Sequence, residues 1–319
     1  MSVQVAYDVR PYRDDDLEAV LRLLSEAMGG GPTGRRTEEF FRWKHLENPF
    51  GRSAMLLGVA GERVIGLRAF MRWTFETPDG SVPAVRAVDT ATHPDFQGRG
   101  VFTRLTLAAL EELRQEVAFV FNTPNEKSLP GYLKMGWRVA GRLPVRVIVR
   151  RPLRGALSLL GRPAGARVEA TDVGAPVDQA LPRAAALAGA LPPVTAFRTP
   201  RTEPYLRWRY ARPPNLTYRA LENHDGLAIF RIRARRGLRE ATAAEVLDGP
   251  SPRTRRLLHA TGRAVGADHV SALRTWAPTP GLRVPGSPVL AVHPLDLDPG
   301  LDPLDLRSWA VSLGDMELF

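Results

Sequence analysis

Two distant stretches of the chain share one pattern. Glu39-Phe40-Phe41-Arg42-Trp43-Lys44-His45, followed by Asn48-Pro49, is echoed by Glu203-Pro204-Tyr205-Leu206-Arg207-Trp208-Arg209-Tyr210, followed by Pro213-Pro214. In both, a large apolar residue precedes an Arg-Trp-basic step, and Asn-Pro or a proline pair begins five residues after the Trp. Trp43 and Trp208 lie 165 residues apart. Asp8-Val9, ahead of the helical pattern Leu17, Val20, Leu21 and Leu24, has a counterpart in Asp172-Val173, ahead of Leu181, Ala184 and Ala188, at an offset of 164. A nearly constant offset over two separate elements marks a duplication, so the chain has to build one supersecondary plan twice.

The length of 319 residues agrees with two domains at about 100–200 residues each. The boundary falls in Arg151 to Arg167, RPLRGALSLLGRPAGAR, where Pro, Gly and Arg are dense and strand alternation stops. This gives domains 1–150 and 168–319 with a linker at 151–167. The absence of Cys removes disulfides, thiolate zinc sites and cysteine nucleophiles, and the six His show no H-E-x-x-H spacing, so no metal centre is expected. Met1 to Tyr12 carries no basic flank before an apolar core, and no apolar run approaches the roughly 20 residues that span a bilayer. A soluble cytoplasmic protein without a membrane partner is expected. The net charge of +10 comes almost wholly from Arg, since Lys44, Lys127 and Lys134 are the only lysines, and most of the excess lies beyond residue 150. These Arg are scattered rather than interleaved with aromatics, which argues against nucleic acid as the partner and for a coding bias towards Arg. The sequence says nothing of the oligomeric state.

In the first half the pattern predicts a strand at Gln4–Arg10, a helix at Asp14–Ala27, and a short helix ending near Trp43. Strands at Ser53–Ala60 and Arg63–Glu76, joined at Ala60-Gly61-Glu62 like a hairpin, and at Val82–Thr92 follow. Val101, Leu105, Ala108, Ala109 and Leu113 have helical spacing; after them come a strand at Val117–Phe121, a helix near Ser128–Met135 and final strands between Trp137 and Arg150. This is a mixed α/β sheet. Its informative segment is Ala87 to Leu107, AVDTATHPDFQGRGVFTRLTL, where strand, glycine-rich turn and helix start follow without a gap. Backbone amides in such a turn, with the orphan donors of the helix behind them, converge on one place that favours an anion. Gly98 and Gly100 would let a phosphate reach the backbone. An ordinary left-handed turn before a helix would read the same way.

The next segment, Asn122 to Trp137, adds a second pattern. In order, spacing and residue type the two together resemble the acetyl-CoA site of the GNAT acetyltransferases. The family's Q/R-x-x-G-x-G/A turn after its fourth strand is matched at Gln97 and Gly100 within Gln97-Gly98-Arg99-Gly100-Val101-Phe102, and its Asn-x-x-Ser/Ala-x-x-x-Tyr-x-x-x-Gly-aromatic pattern at Asn125, Ser128, Tyr132, Gly136 and Trp137. The resemblance covers roughly residues 3–150. It implies acetyl-CoA as co-substrate, held by the turn, by Asn125 and Ser128, and by the splayed strand end Thr90-Ala91-Thr92, with Arg99 free to add a contact to phosphate. Phe102 departs from the pattern, which has Gly or Ala there; its side chain is expected to point away into the core. The resemblance makes Tyr132 the general acid, although an aromatic packed on Trp137 is the plainer reading. Direct attack of a neutral amine on a thioester needs a donor for the developing oxyanion and a proton for the departing thiolate. The fourth strand offers only Asp89 as a general base, set by alternation opposite Val88 and Thr90, and a buried structural Asp reads equally well. His93, before Pro94, is expected to have no chemical role. Glu26, Glu39 and Glu47 are candidates for recognising a cationic amine, small or carried on a peptide.

Carrying the repeat forward, Leu238–Leu247 corresponds to the fourth strand and Arg255–Val265 to its helix. Between them Asp248-Gly249-Pro250-Ser251-Pro252-Arg253 is no phosphate turn, because two prolines remove donors and Asp248 repels an anion. The expected fold class is α/β: two tandem GNAT-like domains, each a mixed, mostly antiparallel twisted sheet flanked by helices, the second degenerate. The size resembles that of the mycothiol synthases, and the active-first, degenerate-second order resembles the enhanced-intracellular-survival acetyltransferases, which add a third domain. In that group a C-terminal carboxylate can enter the active site, which draws attention to Phe319. A non-catalytic acyl-CoA sensor or scaffold remains open, as does an aminoacyl-tRNA-dependent ligase on the same duplicated fold.

Overall fold

The apolar run from Val64 to Trp73 is too continuous for a strand with one wet face, and it forms the centre of a sheet covered on both sides. The computed structural model describes residues 6–28, 37–159, 171–235, 237–248, 253–275, 277–296 and 302–316. The first half contains β1 (Asp8–Pro11), α1 (Leu17–Met28), α2 (Glu38–His45), β2 (Ala54–Ala60), β3 (Arg63–Thr77), β4 (Gly80–Thr92), α3 (Val101–Leu113), β5 (Phe119–Asn122), α4 (Leu129–Lys134), β6 (Arg138–Arg142), β7 (Arg146–Val149) and α5 (Pro152–Leu159). The second contains β8 (Ala175–Pro176), α6 (Val177–Gly189), β9 (Phe197–Arg198), α7 (Glu203–Leu206), β10 (Arg219–Asn223), β11 (Gly226–Arg235), β12 (Leu238–Asp248), α8 (Arg253–Ala264), β13 (His269–Ala272), β14 (Leu282–Arg283), β15 (Val289–Pro294), β16 (Trp309–Ala310) and α9 (Leu313–Met316). The predicted strands and helices of the first half recur with ends shifted by a few residues. Part of the expected linker is helical, as α5, and its remainder lies outside the described residues.

Two mixed sheets result. The first runs β1-β2-β3-β4-β5-β15-β6, with β9 and β16 attached beside β3; the second runs β14-β7-β13-β12-β11-β10-β8. In each, an antiparallel hairpin (β3 with β4, β11 with β12) is followed by a parallel partner (β5 and β13) reached through a helix. The halves also exchange strands. β15 inserts antiparallel between β5 and β6, pairing Val292 with Phe121, while β7 lies on β13, pairing Ile148 with Val270. The point at Arg151 therefore divides the chain by sequence, while each sheet holds a strand of the other half.

The repeated tryptophans meet where the halves join. Trp43 Nε1 donates to the Trp208 carbonyl at 2.8 Å, Trp208 Nε1 donates to the Trp43 carbonyl at 2.8 Å, and the rings stack at 5.1 Å. Such reciprocity is what a two-fold relation between matching residues produces. Around them Trp73, Phe75, Phe119, Phe121, Tyr205 and Trp309 form one aromatic core shared by both halves. The far face of the first sheet is covered by α3, whose buried residues Val101, Leu105, Ala109 and Leu113 form one stripe; burial of each leucine contributes about 1.5–3 kcal/mol. Gly66 sets how close α3 lies, since a Cβ there would stand 2.7 Å from Val101 Cγ1 and 2.8 Å from Leu105 Cδ1. No described helix is long and apolar enough to cross a membrane.

Candidate active site

β4 pairs with β3 along nearly its whole length, but with β5 only at Ala84–Arg86 against Phe119–Phe121. From Ala87 to Thr92 it has no partner on that side, and a cleft opens whose wall is Thr90-Ala91-Thr92. A β-bulge marks the divergence: Arg68 faces Thr90 and Ala69 faces Val88, leaving Asp89 as the extra residue at φ 28°. The alternation expected at Asp89 therefore fails. The bulge turns its side chain to the α2 face, where Val88 also packs, while Thr90 points to the opposite face towards Arg68.

Asp89 is engaged on that face. Its Oδ2 accepts from Lys44 Nζ at 2.7 Å and lies 2.9 Å from His45 Nε2, whose Nδ1 is 2.9 Å from Ser53 Oγ. Lys44 and His45 are buried, and removing one partner of a buried pair typically costs about 3–5 kcal/mol. This geometry suits a brace between α2 and β4 better than a carboxylate waiting for a proton. His93 is similarly occupied: its amide donates to the Ile65 carbonyl, its Nδ1 accepts from the Asp95 amide at 3.1 Å, and Nε2 meets Arg63 and, at 3.1 Å, Glu26. These contacts carry the chain from β4 into the bend. Glu39 and Glu47 border a separate cavity of about 610 Å³ with Glu38, Arg42, Trp43 and Arg212.

The bend itself is open. Gly98 and Gly100 adopt φ of 72° and 76°, in the left-handed region where glycine avoids steric cost, and a Cβ on either would meet nothing within 4 Å. Within the described structure no acceptor takes the amides of residues 98 to 103; the first intrahelical bond runs from the Arg104 amide to the Gly100 carbonyl. Orphan donors at the mouth of a 13-residue helix, aided by a dipole contribution of about 0.3–1 kcal/mol, make an anion cradle. Gln97 closes its strand side, Nε2 donating to the Thr92 carbonyl at 3.3 Å. A cavity of about 620 Å³ adjoins the bend, bordered by Arg99, Gly100 and Arg104 on one side and Tyr7, Val59 and Gly61 on the other.

Across the cleft, Asn125 Oδ1 accepts from the amides of Lys127 and Ser128 at 3.0 and 2.9 Å, fixing the start of α4, and Ser128 is its N-cap residue. Tyr132 is buried and packs on Trp137 at 5.0 Å, as the plainer sequence reading had it, and its hydroxyl is buried as well. Arg68 Nη1 donates to that oxygen at 3.0 Å and also to Thr90 Oγ1. Phe102 packs against the core on the α3 side of the sheet, in line with the expectation, its ring meeting Tyr132 edge-on at 5.6 Å. Sequence reasoning missed Arg68; a lone charge inside the apolar run Val64–Met71 was the available signal.

In the second half the corresponding position is closed by the protein itself. Asp248, at the end of β12, accepts from Arg274 and from Thr254 Oγ1 in the first turn of α8, and Arg274 Nη2 lies 2.6 Å from Thr254 Oγ1. Residues 249–252 and Phe319 lie outside the described residues. The last described turn, α9, is anchored on β4, where Arg86 Nη2 donates to the Met316 carbonyl at 2.6 Å and Nη1 to that of Asp315. Burial, with repulsion from Arg209, pushes the Arg86 guanidinium down to about 9. Among the described residues no group of three His, Asp or Glu is placed to hold a metal ion.

Residues 8–140 match the family model of the acetyltransferase (GNAT) domain. These residues are thereby similar to a GNAT acetyltransferase domain. The match supports an acyltransferase domain in the first half of the chain. Solved structures of similar fold include a probable N-acyltransferase from Enterococcus faecalis (16% identity, TM-score 0.64, 91% of this chain and 73% of that one) and a GCN5-related N-acetyltransferase from Kribbella flavida (18%, 0.59, 92% and 73%). Eis1 from Mycobacterium abscessus is a third (16%, 0.52, 83% and 65%). At these identities the likeness is one of fold, and it extends over both sheets. No curated protein matches the chain.

Proposed function

We propose that the first half transfers an acetyl group from acetyl-CoA to a primary amine by direct attack, and that the second half is a GNAT-like domain that has lost its cofactor cradle. The observation that carries this reading is the row of unoccupied amides at residues 98 to 103, beside an open cavity, at the end of a strand that leaves its β5 partner after Arg86. When bound, acetyl-CoA supplies an activated acetyl thioester. The bend, with Arg99 beside it, receives the diphosphate. The unpaired edge of Thr90-Ala91-Thr92 holds the arm and offers amides to the carbonyl oxygen as charge develops there. Tyr132 donates a proton on the leaving-group side. Asp89, held by Lys44 and His45, braces β4 instead of acting as base, and the amine's proton leaves by another route.

A second reading has its own observations. Phe102 stands against Tyr132, and Asp89 is already ion-paired, which is what a non-catalytic acyl-CoA sensor would tolerate. Calorimetric titration with acetyl-CoA, followed by thiol release across a panel of small and peptide amines, separates them. Binding with turnover on at least one amine supports transfer; binding without turnover on any supports the sensor; no binding removes both.

A further inference from the structure

Among the described residues, Arg68 differs from the other buried arginines in leaving two nitrogens without a partner. Arg86 holds two carbonyls, Arg209 holds the Gly314 carbonyl and the Tyr218 hydroxyl, Arg201 holds Glu245 and Asp315, and Arg274 holds Asp248. Arg68 has no exposure at all, yet it makes no ion pair among the described residues, and its Nε and Nη2 have no hydrogen-bond acceptor. Its guanidinium lies 4.3 Å from the Phe70 ring centre, 5.4 Å from that of Tyr132 and 5.7 Å from that of Phe102. Its two acceptors, Thr90 Oγ1 and the Tyr132 hydroxyl, are the strand and helix residues that face each other across the cleft. Buried charges are ordinarily paired, so a desolvated cation with two idle nitrogens points to an anion that arrives from outside the fold.

We propose that Arg68 is the counter-cation for the negative charge of the leaving thiolate, positioned through Tyr132. This rests on the reading of the cleft as a thioester site. The Tyr132 oxygen accepts from Arg68, so its own hydrogen is directed away from the guanidinium and is left to donate elsewhere. In the transfer the amine nitrogen bonds to the acyl carbon and the carbon–sulfur bond breaks with its electron pair on sulfur. The Tyr132 proton goes to that sulfur, and the extra proton on the new amide nitrogen passes to solvent. The charge left at the site, on sulfur first and on the Tyr132 oxygen after the proton moves, forms beside Arg68 in both cases. Tyr132 is the one titratable group in contact with Arg68; Thr90, Phe70 and Phe102 complete its surroundings.

The test reads the thiol of bound CoA by thiolate ultraviolet absorbance as pH rises, and needs no acceptor amine. On the parent protein the thiol should titrate below its value in free CoA, and in Arg68→Met its midpoint should rise by about one unit, a tenfold change in the thiolate to thiol ratio. Arg68→Lys, which keeps the charge, should restore most of the shift, and a merely structural role would not produce that rescue. Equal midpoints in parent and Arg68→Met, with CoA bound to both, overturn the proposal. Failure of the parent to bind CoA brings down the reading of the cleft, and this inference with it. Should Arg68→Met not fold, the parent decides: affinity for CoA that climbs with pH while that for desulfo-CoA stays flat supports the role, and two flat profiles overturn it.

Discussion

The two strand-to-helix junctions of this molecule start from the same topology and differ in what stands at the start of the helix. After β4 the chain passes through two left-handed glycines and leaves six consecutive amides without an acceptor. After β12 a buried carboxylate already sits at the start of the helix, held by an arginine and a threonine of the same half. An anion is satisfied at the first bend only by binding, whereas the second carries its own. On the proposed reading, the two halves separate a site from a scaffold by which group neutralises the helix start, and the exchange of β7 and β15 places a strand of each half in the other's sheet.

Breaking the internal anion has the largest expected effect. Asp248→Ala leaves Arg274 buried without its carboxylate and should lower the unfolding free energy by about 3–5 kcal/mol in a denaturant titration, with acetyl-CoA affinity retained under folding conditions. A loss below about 1 kcal/mol would mean that Asp248 does not brace β12 against α8. The likeness of the halves can be tested at their junction. Trp43→Phe and Trp208→Phe each remove one of two matching indole donors and leave a buried carbonyl unpaired, at about 1–3 kcal/mol. The two losses should agree within about 0.5 kcal/mol, and the double variant should cost less than their sum because the pair acts as one unit. Strongly unequal losses would break the two-fold relation read from the repeat.

That relation was legible in the sequence because the Arg-Trp step and its proline are local patterns, and the same holds for the glycines of the open bend. What was not legible depends on partners far along the chain. β7 and β15 are short apolar strands with nothing in their residues to name β13 or β5 as the neighbour, so the exchange is set by tertiary packing. Asp89 was placed by a period of two that a single bulged residue breaks, and its binding to Lys44 and His45 spans 45 and 44 positions. Phe102 was assigned to the core on size alone, and what the sequence did not name is its partner there, the Tyr132 ring on α4. Arg68 was hidden by its neighbours: in a run of buried apolar residues a charge reads as an interruption, and only the fold brings it to Tyr132.

The sharpest discrimination between the bends is also the smallest change. Gly100→Val places a branched side chain at φ 76°, where its cost is backbone strain, and stands it among the free amides of the cradle. Strain alone can be matched elsewhere: Gly266, just beyond α8, has φ 62° and equally open surroundings, so Gly266→Val carries the same backbone penalty without touching either bend. Both variants should lose a similar amount of stability. Gly100→Val alone should weaken acetyl-CoA binding in a calorimetric titration, by roughly tenfold to a hundredfold, or about 1.4–2.8 kcal/mol. If the two variants bind the cofactor equally well, the open amides are not where its phosphates rest, and the contrast between the bends loses its functional meaning.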